Sequence, residues 1–463
     1  MRRPVFRSVR LEEFKMNKVH VRSLLGLLLV AICRPSLAGP PEVAKPPALA
    51  EFSDEIVTGG PSEFMTVRHL KMRGSNQAIG AKLAEIARDR HGFKPPHRSA
   101  EAMKPRWEYF KNAWPNQYER ALGASAALGK APDENFDTLS LTVDLKIDPA
   151  CSVVYYPPKS TEPGHGMLSR NYDFTTGPYS EMVGIPAPAG ASAMYANTYV
   201  FEVYPDKGYP ALYLTANELL CCCIDGVNSE GLTVALLANA DTEGGVPMKP
   251  TGSCIAGLDE ADIGRMILDR CATIEDARKL LSEIKFYYTW IPVHFIIGDR
   301  SGQSFVWEYS MDCKKRYVVD GGGEVQVITN HPLHRMNASK KWQLNGGIGE
   351  SQDRYDRLVT EIDSAGPKLS LDKIKYVNSC VAVTSKAPPP RDPHRQERTL
   401  WHSVYDCSDR SLMVDFYLGE GKDSAYKNQK RSGYLKFALQ TTASLAEGKG
   451  SDTRKHTRSP AER

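Results

Sequence analysis

The chain has 463 residues, yet no apolar run in it is long enough to cross a bilayer as a permanent helix; the longest covers only residues 24–32. No stable membrane span is therefore expected. It has no Cys-x-x-Cys pair and no His-rich segment, which removes the usual signature of a zinc site. There is no Gly-x-Ser-x-Gly elbow, no His-Glu-x-x-His helix and no phosphate-cradling Gly-rich loop ending in Gly-Lys-Ser/Thr. Serine hydrolases of the elbow type, zinc proteases and P-loop nucleotide enzymes are thereby set aside. Charge of one sign is also scarce: the net charge is +4. That gives no reason to expect nucleic acid or an acidic membrane surface as a partner.

What the chain does have is an ordinary globular composition, 41% hydrophobic and 25% charged. Its start is different in character. Lys18 and Arg22 precede the apolar run, and Ser36-Leu37-Ala38 puts small residues where a signal peptidase reads them. Residues 1–38 therefore read as a signal peptide, and a periplasmic or secreted location is expected. Lipoprotein anchoring at Cys33 is the less favoured variant, because Ile32 is large for such a site. Ten cysteines are present, nine of them beyond the signal. An odd number leaves one thiol free if the others pair. Cys221-Cys222-Cys223 reads as a small-residue strand.

Residues 39–60 read as a linker, and 61–150 as a helical N-terminal segment. Apolar spacing in residues 72–91 and 100–128 fits amphipathic helices, broken at Pro95-Pro96 and divided at Pro105 and Pro115. From residue 139 onward short alternating runs dominate, with helical stretches at 259–284 and 352–362. The segment 151–445 thus reads as an α+β catalytic domain with mostly antiparallel strands. The polar tail, 446–463, reads as disordered.

One cysteine sits in an unusual setting. Pro149-Ala150-Cys151-Ser152 opens a strand, and a Pro/Gly turn leads to a second one, Ser169-Arg170-Asn171-Tyr172-Asp173. Two such strands would bring Arg170 and Asp173 near Cys151. A guanidinium beside a thiol favours the thiolate, which is the nucleophile. The same residues also fit a buried structural cysteine beside an ion pair. Both readings stand on the residues alone.

Further blocks follow in order: Asp225-Gly226-Val227-Asn228, His294 to Gly302 with Trp307-Glu308, Thr329-Asn330-His331-Pro332, Ser351-Gln352-Asp353-Arg354-Tyr355 and Thr399-Leu400-Trp401. Together with Cys151-Ser152 and Arg170-Asn171-Tyr172-Asp173, they resemble the choloylglycine hydrolase, penicillin V acylase and isopenicillin N acyltransferase superfamily of N-terminal-nucleophile hydrolases. Upstream, Arg73-Gly74-Ser75 with Gly80 resembles a stretch of the acyltransferase-like branch, with its last glycine one position early.

The resemblance implies a four-layer αββα sandwich with two antiparallel sheets, preceded by a helical pro-segment. It implies self-cleavage between Ala150 and Cys151, then catalysis by the Cys151 thiol with its own freed α-amino group as base. Arg170 would stabilise the thiolate, Asp173 would orient the amine, Asn330 and Asn239 would serve the oxyanion, and Arg354 would tie the set together. Asn239 lies one residue later than the pattern asks. Tyr172, Tyr179, Met182 and Tyr195 are candidates for lining the acyl pocket. No metal or cofactor is implied. The expected substrate is a small N-acylated amide. Acyl transfer from a thioester donor such as a CoA ester to an amine is the alternative, and a non-catalytic binding protein on the same fold is the rival from another class. Homo-oligomerisation is left open.

Overall fold

The computed structural model describes residues 47–130, 137–139, 150–178, 186, 192–216, 218–239, 256–289, 291–310, 314–336, 348–384, 397–421, 426 and 428–440, all within the unit Val43–Arg463. The signal-like residues 1–38, the tail 446–463 and the candidates Tyr179 and Met182 lie outside the described residues.

Two sheets carry the fold. The larger is built from β1 (Glu51–Gly59), β2 (Thr66–Gly74), β5 (Asn197–Pro205), β6 (Ala211–Thr215), β7 (Asp225–Asn228), β8 (Thr233–Ala238), β9 (Val293–Gly298), β10 (Ser304–Tyr309) and β11 (Arg316–Asp320), side by side in that order. The smaller runs β12 (Gln326–Ile328), β3 (Ala150–Tyr156), β4 (Met167–Thr175), β13 (Glu397–Asp406), β14 (Ser411–Glu420) and β15 (Gln429–Arg431), with β16 (Leu435–Ala438) also paired to β14. Every neighbouring pair is antiparallel except β2 with β5.

Alternation along the strands sorts side chains into three cores. Val153, Tyr155, Val200 and Leu237 meet between the two sheets. Phe201, Tyr213 and Trp307 face the other way, onto α1 (Asn76–His91), α2 (Ala100–Ala113), α3 (Pro115–Ala127), α4 (Asp262–Arg270) and α5 (Ile274–Glu283). Val154, Tyr156 and Val404 of the smaller sheet pack on Leu358 of α6 (Ile348–Ala365) and Ile374 and Val377 of α7 (Leu371–Ser379). The outcome is helix, sheet, sheet, helix, the four-layer α+β sandwich expected from the sequence.

The N-terminal third differs from its expected form. Residues 51–59, expected within the linker 39–60, are the edge strand β1. Its charged, half-exposed sequence hides the strand period; ion pairs hold it to β2, with Asp54 to Arg68 at 2.8 Å and Glu51 to Lys71 at 2.8 Å. The segment 61–150 is not purely helical either, since its residues 66–74 form β2. The first helix starts at Asn76, where the Ser75 hydroxyl caps the Ala78 N–H at 3.1 Å. Pro115 opens α3 as expected, whereas Pro105 sits inside α2. The helical stretch 259–284 is two helices, α4 and α5, parted at a Thr273–Asp276 capping box.

Gly80 and Gly123 explain part of the Arg-Gly-Ser stretch. A Cβ on Gly80 would lie 1.9 Å from the Arg120 carbonyl oxygen, and one on Gly123 would lie 1.9 Å from that of Gln77. Helices α1 and α3 therefore touch backbone to backbone, which only glycine permits.

Candidate active site

Cys151 sits on β3, opposite Tyr172 of β4, while Val153 faces Arg170 and Ala150 faces Asp173. Directly paired residues share a face. So Cys151, Tyr172 and Arg170 point between the sheets, and Asp173 points toward the helix layer behind Ala150. The expected cluster thus exists, but it straddles the β3 backbone.

On the inner face, Arg170 is wholly buried. Its Nη2 donates to Cys151 Sγ at 3.5 Å and to the Leu236 carbonyl at 2.5 Å, and its Nη1 donates to the Ile224 carbonyl at 2.7 Å and Asp225 Oδ1 at 3.2 Å. Asp225 is held in turn by the Ser403 hydroxyl at 2.5 Å. Burial pushes the Cys151 thiol pKa up, and the Arg170 charge pulls against it. In a dry site that pull is the main electrostatic help a thiolate receives.

Around the backbone of residue 151, three groups converge. The Cys151 N–H donates to Asn330 Oδ1 at 2.6 Å. Arg354 donates from Nη1 to the Cys151 carbonyl at 2.5 Å and from Nη2 to Asn330 Oδ1 at 2.8 Å. Asn330 Nδ2 donates to the Ala238 carbonyl at 2.8 Å. A carboxamide nitrogen carries two hydrogens, and the Ala238 bond uses one of them. Asp173 accepts from the Thr399 hydroxyl through Oδ1 at 2.5 Å, and its Oδ2 is buried without a partner. Burial lifts the Asp173 carboxyl to about 6, against the pull of Arg354 and the Thr399 hydroxyl.

Asn239 follows β8. Its backbone N–H donates to the Pro292 carbonyl at 2.8 Å, and its side-chain Oδ1 is buried without a partner. Asn228, in the Asp-Gly-Val-Asn block, is a structural cap: its Nδ2 donates to the carbonyls of Leu268 at 3.1 Å and Cys271 at 2.7 Å, closing the end of α4.

A cavity of about 80 Å³ opens beside the thiol. Tyr172, Phe174, Tyr195, Ile224, Leu236 and Ile291 make most of its wall apolar. Two of the four pocket candidates, Tyr172 and Tyr195, are thus placed at it, and their hydroxyls hydrogen-bond each other. The carboxyl-bearing residues Glu218 and Glu260 also line it, as does Cys222.

The chain matches the family model described as acyl-coenzyme A:6-aminopenicillanic acid acyl-transferase over residues 160–423. The chain belongs to that family. The family span starts beyond Cys151 and takes in Arg170, Asp173, Asn239, Asn330 and Arg354. Membership makes this acyl-transferase family protein an enzyme of the amide hydrolase and N-acyltransferase kind. Solved structures similar to it include penicillin V acylase from Agrobacterium tumefaciens, at 19% identity and TM-score 0.38 over 57% of this chain and 83% of that one. A mutant conjugated bile acid hydrolase from Clostridium perfringens is 16% identical, TM-score 0.38, over 63% and 99%. A Caenorhabditis elegans N-acylethanolamine-hydrolyzing acid amidase ortholog has TM-score 0.32 and covers 63% of this chain and 100% of that one. No curated protein matches in sequence.

Sequence reasoning missed several residues of this family member's site. Asp225 and Thr399 lay in noted blocks but had no assigned role; they hold Arg170 and Asp173. Glu308 of β10 takes hydrogen bonds from the His294 ring at 3.0 Å, the Leu333 N–H at 2.7 Å and the His334 ring at 2.5 Å, so it clamps the loop that carries Asn330. Burial alone would raise the Glu308 pKa; those donors outweigh it and hold the carboxyl well below the usual range. His331 and Ser351 support Asn330 from the other side, with the Asn330 N–H donating to Ser351 Oγ at 2.7 Å. Among the described residues no cysteine is in a disulfide: Cys151, Cys221, Cys222, Cys223, Cys271, Cys380 and Cys407 are all free thiols. No described helix is long and apolar enough to cross a membrane.

Proposed function

We propose that the protein is a self-processing amide hydrolase whose nucleophile is Cys151. The observation that carries this reading is the double hold on one residue. The Cys151 thiol lies under a buried guanidinium at the wall of an apolar cavity, while Asn330 and Arg354 fix its backbone nitrogen and carbonyl. A merely structural cysteine has no use for that second set.

In the first step Cys151 Sγ adds to the Ala150 carbonyl carbon. The bond from that carbon to the Cys151 nitrogen breaks as the nitrogen takes up a proton, leaving a thioester. Water then cleaves the thioester, releasing Ala150 as a carboxylate and restoring the thiol. The freed α-amino group, with a pKa of about 8 in model peptides, can take the thiol proton. Asp173 pairs in register with Ala150, so its unpartnered Oδ2 is a candidate acceptor for that amine.

In turnover the thiolate adds to a substrate amide carbonyl. The second Asn330 N–H would serve the oxyanion, a role worth about 3 kcal/mol of barrier for such a donor. The amine departs with the proton, and water hydrolyses the acyl thioester. The apolar cavity favours an apolar acyl group on a small N-acyl amide. The signal-like residues 1–38 support export to a periplasm or the outside. Acyl transfer to an amine is the second reading, favoured by the family's own description; export weighs toward hydrolysis, because CoA esters are cytoplasmic.

The test begins with intact mass. The native chain is expected as two pieces, the larger beginning at Cys151, and Cys151→Ala is expected uncut. The processed enzyme is then given a panel of N-acyl amides with and without hydroxylamine. Free acid alone supports hydrolysis; capture of most of the acyl group by the amine supports transfer. An uncut native chain with an inert thiol would sink both readings.

A further inference from the structure

The cavity wall beside the thiol is held by residues that precede Cys151 in the chain. Glu260, Ala261, Ile291 and Val293 line the cavity. They belong to two segments bound as one unit. The Leu258 N–H donates to the Lys285 carbonyl at 2.9 Å, and the Tyr287 N–H donates to that of Leu258 at 3.0 Å. Glu260 accepts from the N–H groups of Thr289 at 2.8 Å and Ile291 at 3.1 Å.

This unit rests on the N-terminal helices. Arg106 of α2 is buried and donates from Nη1 to the Tyr287 hydroxyl at 2.5 Å. Its charge also faces the buried carboxyls of Asp137, Asp259 and Asp262. The Tyr109 hydroxyl accepts from the Lys285 N–H at 2.9 Å. At the far end of α4, whose start is the Glu260–Ala261 wall, Asp269 pairs with Arg120 of α3 and accepts from Trp114 Nε1 at 2.9 Å. Arg120 and Asp269 are both fully buried. Departure of the segment would break the buried Arg120–Asp269 pair and strip Asp259 and Asp262 of the Arg106 charge, a cost that favours its staying bound after any cut.

We propose that the N-terminal segment is a lasting specificity element: through Arg106 and Arg120 it sets the position of the Glu260–Ile291 wall, and so decides which apolar acyl groups reach Cys151. This rests on the reading of Cys151 as an acyl-accepting nucleophile. Arg106 is then a positioning residue, acting through Tyr287 and the Asp259–Asp262 turn rather than touching the acyl group.

The test uses the whole protein and chloromethyl ketones whose acyl part is acetyl, hexanoyl or phenylacetyl. The thiol displaces chloride, and the rate of mass gain at Cys151, located by peptide mapping, reports each acyl group. Arg106→Met keeps the length of the side chain and removes its charge. Tyr287→Phe removes one hydroxyl and guards against a variant that fails to fold. Both are expected to be cut as in the parent. Their hexanoyl-to-acetyl rate ratio is expected to move by about tenfold, the order that a misplaced methylene carries in an apolar pocket. Equal slowing for all three reagents, with the ratio unchanged in both variants, overturns the proposal. A parent whose Cys151 takes no reagent at all overturns the reading of the nucleophile, and this proposal with it.

Discussion

Asp173 offers a prediction in which the sign and size follow from geometry. In the uncut chain its carboxyl is buried, with one oxygen on Thr399 and the other unpartnered, and it is lifted from 3.8 to about 6. A carboxyl raised on folding is better protonated in the native state. Its contribution is full below pH 3.8 and is lost as the pH rises through about 6. At about 1.4 kcal/mol per pH unit, the loss comes to about 3 kcal/mol. The comparison is Cys151→Ala, which stays uncut, against the same chain carrying Asp173→Asn as well. Urea unfolding at pH 3.5 and pH 7.5 gives the stability of each. The parent is expected to lose about 3 kcal/mol more than the double variant between those pH values. Equal losses would refute the idea that this carboxyl is held uncompensated. The cut enzyme should behave differently, because an α-ammonium beside the free oxygen pulls the carboxyl back down.

Other substitutions test the frame. Arg170→Leu leaves Asp225 buried without its cation, and should cost about 3–5 kcal/mol in urea unfolding and abolish rapid alkylation of Cys151. Glu308→Gln weakens the clamp on the Asn330 loop; self-cleavage followed by mass should slow while the chain stays folded by circular dichroism. Gly123→Ala drives a Cβ into the Gln77 carbonyl and should lower stability by about 1–3 kcal/mol, read as a drop in melting temperature.

The sheet layers after residue 150 were legible because β5, β8, β9 and β10 are short runs rich in β-branched, aromatic and other apolar residues, and their turns carry glycine. Where the code is weak the sequence misled. The edge strand β1 is held by ion pairs to β2 rather than by an apolar stripe, so it read as linker. The parallel pairing of β2 with β5 joins residues more than a hundred positions apart, and no local pattern announces it. At the site, Cys151, Arg170 and Asp173 could be found because they share one hairpin. Glu308, Asp225 and Thr399 could not be given roles, because each works by holding another residue from a distant strand. The resemblance suggested Asn330 for its donor groups; the structure shows its oxygen also holding the Cys151 nitrogen.

The strand β2 lies before residue 150, and its parallel partner β5 lies after it. A cut at Ala150–Cys151 would therefore turn a sheet closed within one chain into a sheet shared by two. Assembly before the cut is unimolecular, with loop closure as its entropic cost. Reassembly after it would depend on concentration. Such a molecule gets one easy passage to its native state. Once processed and unfolded, it should recover poorly on dilution, while the uncut Cys151→Ala chain recovers well. Its durability in service would be set by the rate at which two interlocked pieces come apart, a kinetic property fixed at the moment of maturation.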